Sequence, residues 1–245
     1  MTQNPSLKGK VALITGAGRG IGEACARLFA EQGASVILAS RSEAELYRVA
    51  ESIQAEFGEE RALAVPTDVG EEESILNLFR RALETFGPID ILVNNAATIE
   101  VIDFIDLETS LWDQLMAVNL RGAFICSREA FRQMAKSGRG GSIIQLSSLS
   151  GIRGTEKFPG FSAYTVSKHG IVGLTESLAV EGKALNIRVN CIAPGAVETA
   201  MLKKAAPFLK TSTMPMDIAK IALFLADENQ ASSLNGAVIE VHSNE

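Results

Sequence analysis

Continuous apolar runs alternate with amphipathic segments along the whole chain. Seven short runs are rich in β-branched residues and lack polar alternation, which is typical of strands covered on both faces. They are VALIT (11–15), SVILAS (35–40), ALAV (62–65), DILVN (90–94), SIIQLS (142–147), IRVNCI (187–192) and AVIEV (237–241). Helical patterns lie between them, such as GEACARLFAEQG (22–33), for which Gly33 is a stop signal. The alternation predicts parallel strands joined by helical crossovers.

This order of elements predicts an α/β fold. Right-handed crossovers place helices on both faces of the sheet, so we expect a doubly wound, parallel, seven-stranded sheet of Rossmann type. The chain contains no linker, repeat or low-complexity tract, and residues 1–245 are predicted to form a single domain. Ser42 and Glu45 have the spacing of a capping box, which predicts the start of a helix over residues 42–58.

Composition and charge narrow the class of protein. Of 245 residues, 47% are hydrophobic and 21% are charged, which is an ordinary globular balance. The net charge of −6 argues against nucleic acid and anionic membranes as partners. The cysteines Cys25, Cys126 and Cys191 are far apart, which argues against a disulfide framework or a metal site. The polar start MTQNPSLKGK and the lack of ~18 consecutive apolar residues predict a cytoplasmic protein without a membrane span.

A cluster of glycines follows the first strand and opens the first helix. The segment GAGRGIG places glycines at positions 16, 18, 20 and 22, in the pattern T-G-x-x-x-G-x-G. Glycines allow a tight turn and close approach of the backbone, and a helix N-terminus offers unpaired N–H groups to phosphate. A convenient loop is the alternative. The position between strand and helix favours a dinucleotide-binding turn.

The end of the second strand bears on which dinucleotide binds. NAD-binding proteins of this architecture place an acid there, whereas this strand ends in Ser40-Arg41. Arg41 and Arg19, the latter inside the glycine turn, suit the 2′-phosphate of NADP. Two solvated arginines are the alternative, and helix capping accounts for the nearby Glu43 and Glu45. The pattern favours NADP(H) as the cofactor.

The stretch SAYTVSKHG (162–170) holds Tyr164 and Lys168 four positions apart in a predicted helix. At this spacing both side chains lie on one face. They are either an exposed helix pair or an acid with an electrostatic partner, because a free phenol has a pKa near ~10 and a neighbouring cation favours its ionised form.

Several motifs occur in a fixed order along the chain. They are TGAGRGIG (15–22), Asp68-Val69, NNAA (94–97), Asn119, SS (147–148), YTVSK (164–168) and PGAVET (194–199). On these motifs the chain resembles the classical short-chain dehydrogenase/reductase family over nearly its whole length. The resemblance implies the same fold, a nicotinamide cofactor and oxidoreductase activity.

The resemblance also implies a catalytic set of Asn119, Ser148, Tyr164 and Lys168. Tyr164 would be the general acid/base, with Lys168 favouring its ionised form, and Ser148 would bond the substrate oxygen. Asn119 would hold a water that connects Lys168 to solvent. Ser148 lies 16 residues before Tyr164 rather than the 13 common in the family, so Ser150 remains an alternative to Ser148.

For the cofactor, the resemblance implies contacts along the whole cleft. Asp68 would lie near the adenine, although a strand-ending acid also forms turns. The complete set is Gly16, Gly18, Arg19, Gly20, Ile21, Gly22, Ser40, Arg41, Asp68, Val69, Asn95, Tyr164, Lys168, Pro194, Gly195, Val197 and Thr199. No metal site is expected.

Two segments depart from the family pattern near the expected substrate site. The extra residues between Ser148 and Tyr164 carry Phe158 and Phe161, which form either a substrate wall or ordinary loop packing. The segment Thr199 to Pro215 is short for a substrate lid, which predicts an open site that accepts bulky or carrier-bound substrates.

The sequence thus predicts an NADP(H)-dependent oxidoreductase that interconverts a small-molecule carbonyl and a secondary alcohol. A 3-oxoacyl thioester is one candidate substrate. An NADP(H)-binding regulatory or scaffold protein without turnover is the alternative. Family members pair through helices at about 112–136 and 164–183, so a homodimer or homotetramer is expected.

Overall fold

The computed structural model describes residues 6–243. Residues 1–5 and 244–245, at the two ends of the predicted 1–245 domain, lie outside the described residues. Within the described part, seven strands form one parallel sheet in the order β3-β2-β1-β4-β5-β6-β7. The strands are β1 Val11–Thr15, β2 Ser35–Ser40, β3 Ala62–Pro66, β4 Ile91–Asn94, β5 Gly141–Leu146, β6 Ile187–Pro194 and β7 Val238–Val241. The predicted doubly wound parallel sheet is confirmed.

The helices follow the strands as the hydrophobic pattern predicts. They are α1 Gly20–Glu31, α2 Glu43–Phe57, α3 Glu72–Phe86, α4 Thr109–Met116, α5 Gly122–Ser137, α6 Ser162–Gly182, α7 Ala200–Ala205, α8 Pro215–Ala226 and α9 Glu228–Ala231. A π-helical turn over Ala117–Arg121 joins α4 to α5. None of the helices within residues 6–243 is long and apolar enough to cross a membrane.

The strands are apolar on both sides because both faces of the sheet are covered. Along β1, Ala12 and Ile14 face a core built with α1, α2 and α8. Val11 and Leu13 face a second core built with α3, α5 and α6. A strand in this position has no solvent-facing side, which explains the absence of polar alternation in the sequence.

The predicted capping box at the start of α2 is wrong. Ser42 occupies the N-cap position, but no side chain caps the helix there. The carboxylate of Glu45 instead forms an ion pair with Arg19, with 3.2 Å between Oε1 and Nη1. A guanidinium in reach is a stronger partner for a carboxylate than a backbone N–H, and Glu45 therefore turns toward the glycine segment.

The sheet has a topological switch point between β1 and β4. From β1 the chain winds outward through β2 and β3, and then crosses to the other side of β1 to form β4. Crossovers diverge at this point, which leaves a crevice beyond the carboxyl ends of the two strands. The glycine turn after β1 and the NNAA segment after β4 both lie at this crevice.

Candidate active site

A cleft of ≈ 590 Å³ runs along the carboxyl edge of the sheet. Its volume is in the range of sites that bind small molecules and cofactors. Thirteen residues of the predicted site line it: Gly16, Gly18, Arg19, Gly20, Ile21, Ser40, Arg41, Val69, Asn95, Tyr164, Lys168, Pro194 and Thr199. The structure thus brings residues from five of the seven predicted motifs, together with the end of β2, to one site.

Backbone geometry explains the glycines at the start of the cleft. Gly16 and Gly20 have φ values of +66° and +59°, which side-chain-bearing residues rarely adopt. A Cβ on Gly22 would lie 2.2 Å from the Gly16 carbonyl oxygen, so the turn can close on α1 only with glycine there. The side chain of Arg19 does not cap α1. The amino end of this helix therefore remains able to bind an anionic group.

The switch point is fixed by mutual hydrogen bonds between the ends of β1 and β4. The backbone N–H groups of Asn95 and Ala96 each donate to Thr15 Oγ1 at 3.0 Å. The Asn95 amide donates back to the carbonyl oxygens of Thr15, at 2.9 Å, and Gly16, at 3.2 Å. Asn95 therefore holds the glycine turn in place besides lining the cleft.

One end of the cleft carries opposite charges. Arg41 is exposed there and makes no ion pair with another residue of the described chain, while Arg19 is paired with Glu45. Glu45 also lines the cleft, beside Ser40 and Gly18. The charge available to a phosphate at this end is thus one free guanidinium and one that Glu45 partly neutralises.

Tyr164 lies at the opposite end of the cleft, on the first turn of α6. Burial raises the pKa of its phenol to about 12, and a hydrogen bond with the Ser148 side chain opposes this rise. The phenol is therefore protonated near neutral pH, as a proton donor must be. The Ser148 side chain is thus the serine that affects the phenol, and the choice between Ser148 and Ser150 as the active serine stays a prediction.

Lys168 is buried one turn further along α6, with 3% of its surface exposed. Its ammonium donates to the Leu146 carbonyl oxygen at 2.8 Å and lies 5.6 Å from the centre of the Tyr164 ring. Burial lowers the pKa of this ammonium to about 8. The cation is thus positioned to stabilise negative charge on the phenol, and its protonation changes in an accessible pH range.

Close packing between α6 and the loop after β5 produces this arrangement. The Ser147 hydroxyl donates to the Lys168 carbonyl oxygen at 2.8 Å. A Cβ on Gly151 would lie 2.6 Å from both Ser147 Oγ and the Lys168 carbonyl, so a larger residue would push the loop away. Gly151 thereby keeps Ser148 within reach of Tyr164.

Asn119 lies in the π-helical turn, a feature often found at functional sites. Its side chain accepts from Thr98 N and donates to Thr98 O, both at 2.8 Å, and it donates to Ser167 Oγ at 3.2 Å. Asn119 thus connects the segment after β4 to α6. The water relay that the resemblance implies for it stays a prediction.

Some predicted residues do not line the cleft. They are Gly22, Asp68, Asn119, Ser148, Gly195 and Val197. Asp68 Oδ1 accepts a hydrogen bond from Gly70 N at 2.8 Å, which is the turn-forming role that the sequence left open. Thr199 lines the cleft and also caps α7, since its hydroxyl accepts from Leu202 N at 3.2 Å.

The cleft also contains residues outside the predicted set. They are Ser42, Glu45, Thr67, Ala96, Ala97, Val118, Leu146, Ser147, Glu198, Ala200, Met201 and Pro215. Thr67 and Leu146 lie at the carboxyl ends of strands, where the switch-point rule could have indicated them. Met201 and Pro215 come from the lid segment, which carries no motif.

The described residues were also searched for metal-binding clusters and for reactive cysteine thiols. Within residues 6–243, no group of three or more His, Cys, Asp or Glu side chains could hold a metal ion. Cys25, Cys126 and Cys191 are free and buried, and burial raises the pKa of each thiol. Such thiols are poor nucleophiles at neutral pH.

Comparison with known families agrees with this geometry. The family model described as short chain dehydrogenase matches residues 10–210. This chain belongs to the short-chain dehydrogenase family. The family binds a nicotinamide cofactor, and the protein is an oxidoreductase.

Similar proteins cover almost the whole chain. An uncharacterised oxidoreductase of Thermotoga maritima is 38% identical and covers 94% of this chain and 93% of its own length. The 3-oxoacyl-[acyl-carrier-protein] reductase FabG of the same organism is 34% identical over 96% and 97% of the two chains. The crystal structure of 3-ketoacyl-(acyl-carrier-protein) reductase from Brucella melitensis, complexed with NADH, has a TM-score of 0.88 at 33% identity, covering 96% of this chain and 98% of that one.

The residues present fit a nicotinamide dinucleotide. A glycine turn with an uncapped helix end suits the phosphates, and the cleft continues from there to Tyr164 and Lys168. When bound, the dinucleotide supplies or accepts a hydride. At the far end of the cleft the chain has a phenol, Tyr164, and a buried ammonium, Lys168.

Substitution of the two candidate serines should separate their roles. Ser148→Ala removes the hydroxyl that is bonded to Tyr164, and we expect kcat to fall by about 10²- to 10³-fold. Ser150→Ala should stay within a few-fold of the wild type, because only the backbone N–H of Ser150 bonds to Ser148. Steady-state kinetics with a substrate ketone checks this, and thermal unfolding of both variants controls for structural damage. A larger loss in Ser150→Ala would contradict the assignment.

The pH profile should report the ionisation of Lys168. Its ammonium has a pKa of about 8, so the cation is present below this pH and is lost as pH rises through it. Tyr164, with a pKa of about 12, keeps its proton over the same range. We therefore expect kcat/KM for carbonyl reduction to decrease above pH 8, measured between pH 6 and 10. Lys168→Arg, which keeps its charge, should remove this decrease; the same decrease in that variant would contradict the assignment.

Proposed function

We propose that this protein is an NADP(H)-dependent reductase that transfers a hydride between nicotinamide and a carbonyl or secondary alcohol, with Tyr164 as general acid/base. The observation that carries the proposal is the phenol of Tyr164, protonated, bonded to Ser148 and placed beside the ammonium of Lys168 at the end of a dinucleotide-shaped cleft. A protonated phenol suits reduction of a carbonyl, in which the oxygen takes up a proton.

In the proposed reaction, three side chains have separate roles at the substrate oxygen. The Ser148 hydroxyl holds the carbonyl oxygen and orients it toward the phenol. Tyr164 donates its proton to that oxygen as negative charge develops there. The Lys168 ammonium stabilises the tyrosinate that remains, in a site where little water screens the charge. The buried position of Lys168 thus contributes to the step itself.

The choice of NADP(H) is supported by the two arginines at the adenosine end of the cleft. Arg41 is free to form charge-assisted hydrogen bonds with a 2′-phosphate, and Arg19 occupies the N-cap position of α1. Glu45 acts against this choice, because it pairs with Arg19 and would repel the phosphate. We therefore propose a preference for NADP(H) that Glu45 weakens.

The proposed substrate and assembly are supported by the names of relatives and by exposed apolar side chains. Relatives named 3-oxoacyl-[acyl-carrier-protein] reductase support a 3-oxoacyl thioester, including carrier-bound forms, as one candidate substrate. Exposed apolar side chains on α5 and α6, among them Phe124 and Val180, support pairing of copies into a homodimer or homotetramer. A cytoplasmic location remains part of the proposal.

Oxidation of NADPH across a panel of ketones, aldehydes and 3-oxoacyl thioesters tests the function. Turnover of at least one class is expected, and Tyr164→Phe should lower kcat/KM by roughly 10³-fold because it removes the proton donor. The binding constant for NADPH should be nearly unchanged in that variant. Tight binding of NADPH without turnover of any compound would instead favour a regulatory or scaffold protein.

Binding titrations with both cofactors test the role of the charges at the adenosine end. Arg41→Ala should raise the Kd for NADPH by about tenfold or more and change that for NADH little, because only NADPH has the phosphate. Glu45→Gln should tighten NADPH binding several-fold by releasing Arg19. Glu43→Gln, which removes the same charge from the same turn of α2, is the matched control and should have a smaller effect. Equal loss of both cofactors in Arg41→Ala would contradict the phosphate site.

A further inference from the structure

The glycine turn is tied to its surroundings by two side chains. The Asn95 amide donates to the carbonyl oxygen of Gly16 at 3.2 Å. Arg48, on α2, donates from Nη2 to the carbonyl oxygen of Gly18, also at 3.2 Å. Asn95 and Gly18 line the cleft, whereas Arg48 does not. Arg48 therefore holds the turn from outside the cleft.

Glu23, in the first turn of α1, orients the guanidinium of Arg48. Its two carboxylate oxygens accept from Arg48 Nη1 at 3.1 Å and from Nη2 at 2.9 Å, and this fork sets the plane of the guanidinium. Arg27 donates to the same carboxylate, from Nε at 3.1 Å and from Nη2 at 3.0 Å. Burial alone would raise the pKa of the Glu23 carboxyl, but the hydrogen bonds with Arg48 and Arg27 outweigh it and lower the pKa. Glu23 is therefore ionised at neutral pH.

The bond from Arg48 also sets the direction of the next N–H group. The Gly18 carbonyl and the Arg19 N–H belong to one planar trans peptide unit, so the two groups point in opposite directions. Because Arg48 binds this carbonyl outside the cleft, the N–H of Arg19 points toward the cleft. Within residues 6–243 that N–H makes no hydrogen bond. It is thus available to a phosphate oxygen.

We propose that Arg48 is a positioning residue for the nicotinamide dinucleotide, because it fixes the peptide between Gly18 and Arg19 in the orientation that binds phosphate. The pyrophosphate is common to NADP(H) and NAD(H), so this role concerns both cofactors alike. The role proposed for Arg41 concerns only the 2′-phosphate. The inference requires that a cofactor binds, and it does not depend on turnover or on the substrate.

Titration of the protein with NADPH and with NADH tests the inference. Arg48→Met keeps the length of the side chain but has no donor, and it should raise the Kd for both cofactors by a similar factor of about ten, the loss expected for one charge-assisted hydrogen bond. Arg48→Lys, whose ammonium can still donate to the Gly18 carbonyl, should restore most of the affinity. An unchanged Kd in Arg48→Met would overturn the inference. A loss confined to NADPH would also overturn it, because that result would indicate direct contact with the 2′-phosphate.

Arg27→Met is the matched control. Arg27 shares the Glu23 carboxylate with Arg48, but its other hydrogen bond goes to Ser52 Oγ, at 2.9 Å, rather than to the glycine turn. Its Kd for both cofactors should stay within about twofold of the wild type, since a partly exposed ion pair contributes little. A loss as large as that in Arg48→Met would contradict the proposal.

The double variant Glu23→Gln/Arg48→Met separates the bond with Gly18 from simple neutralisation of Glu23. We expect it to bind both cofactors as weakly as Arg48→Met, because the Gly18 carbonyl still lacks its donor. Recovery of wild-type affinity would show that Arg48 acts only by neutralising the carboxylate, and the positioning role would be wrong.

Hydrogen exchange of the backbone, measured without cofactor, tests the position of the turn itself. The N–H of Ala17 donates to the Ala39 carbonyl at 3.1 Å and is therefore protected within the turn. It should exchange several-fold faster in Arg48→Met than in the wild type or in Arg27→Met. Thermal unfolding of both variants controls for a general loss of stability. The same exchange rate in all three proteins would refute the inference, whether or not the protein turns over any carbonyl compound.

Discussion

The contact between α6 and the carboxyl end of β5 is the constraint on which the site depends. Ser147 donates to the Lys168 carbonyl, and the Lys168 ammonium donates to the Leu146 carbonyl, so two neighbouring residues of β5 and its loop hold one turn of α6. Gly151 allows the loop to approach because no Cβ intervenes. With the helix fixed at this distance, the phenol of Tyr164 meets Ser148. Catalytic geometry here follows from backbone packing rather than from side-chain flexibility.

The fold could be predicted because its pattern is local. A strand covered on both faces, such as β1 with Ile14 toward one core and Leu13 toward the other, must be apolar throughout, and that requirement is visible in five consecutive residues. Capping was not predictable in the same way. Whether Glu45 caps α2 depends on Arg19, which lies 26 residues earlier and meets it through the tertiary fold.

In the candidate site, too, some contacts join residues that are close in sequence, and others join residues that only the fold brings together. Tyr164 and Lys168 share a helix face, so a spacing of four residues in the sequence is enough to place them together. Residues such as Met201 enter the cleft only because the lid folds over it, and no local pattern marks them. The hydrogen-bond partners of Asn119 lie on the segment after β4 and on α6. No local sequence pattern indicates them either. Ordered motifs predicted where the cleft lies, and tertiary packing decided what each side chain contacts.

The burial of Lys168 argues for chemistry rather than stability. Its pKa is lowered from 10.5 to about 8, so the folded state binds this proton less tightly than the unfolded chain does. The folded state is therefore destabilised by roughly 3 kcal/mol below pH 8, and the penalty fades as pH rises toward 10.5. An apolar residue of similar length would avoid this penalty and fill the same space. A destabilising cation beside a half-buried phenol is explained if negative charge develops there during turnover, because that charge interacts most strongly with an ammonium that water does not screen.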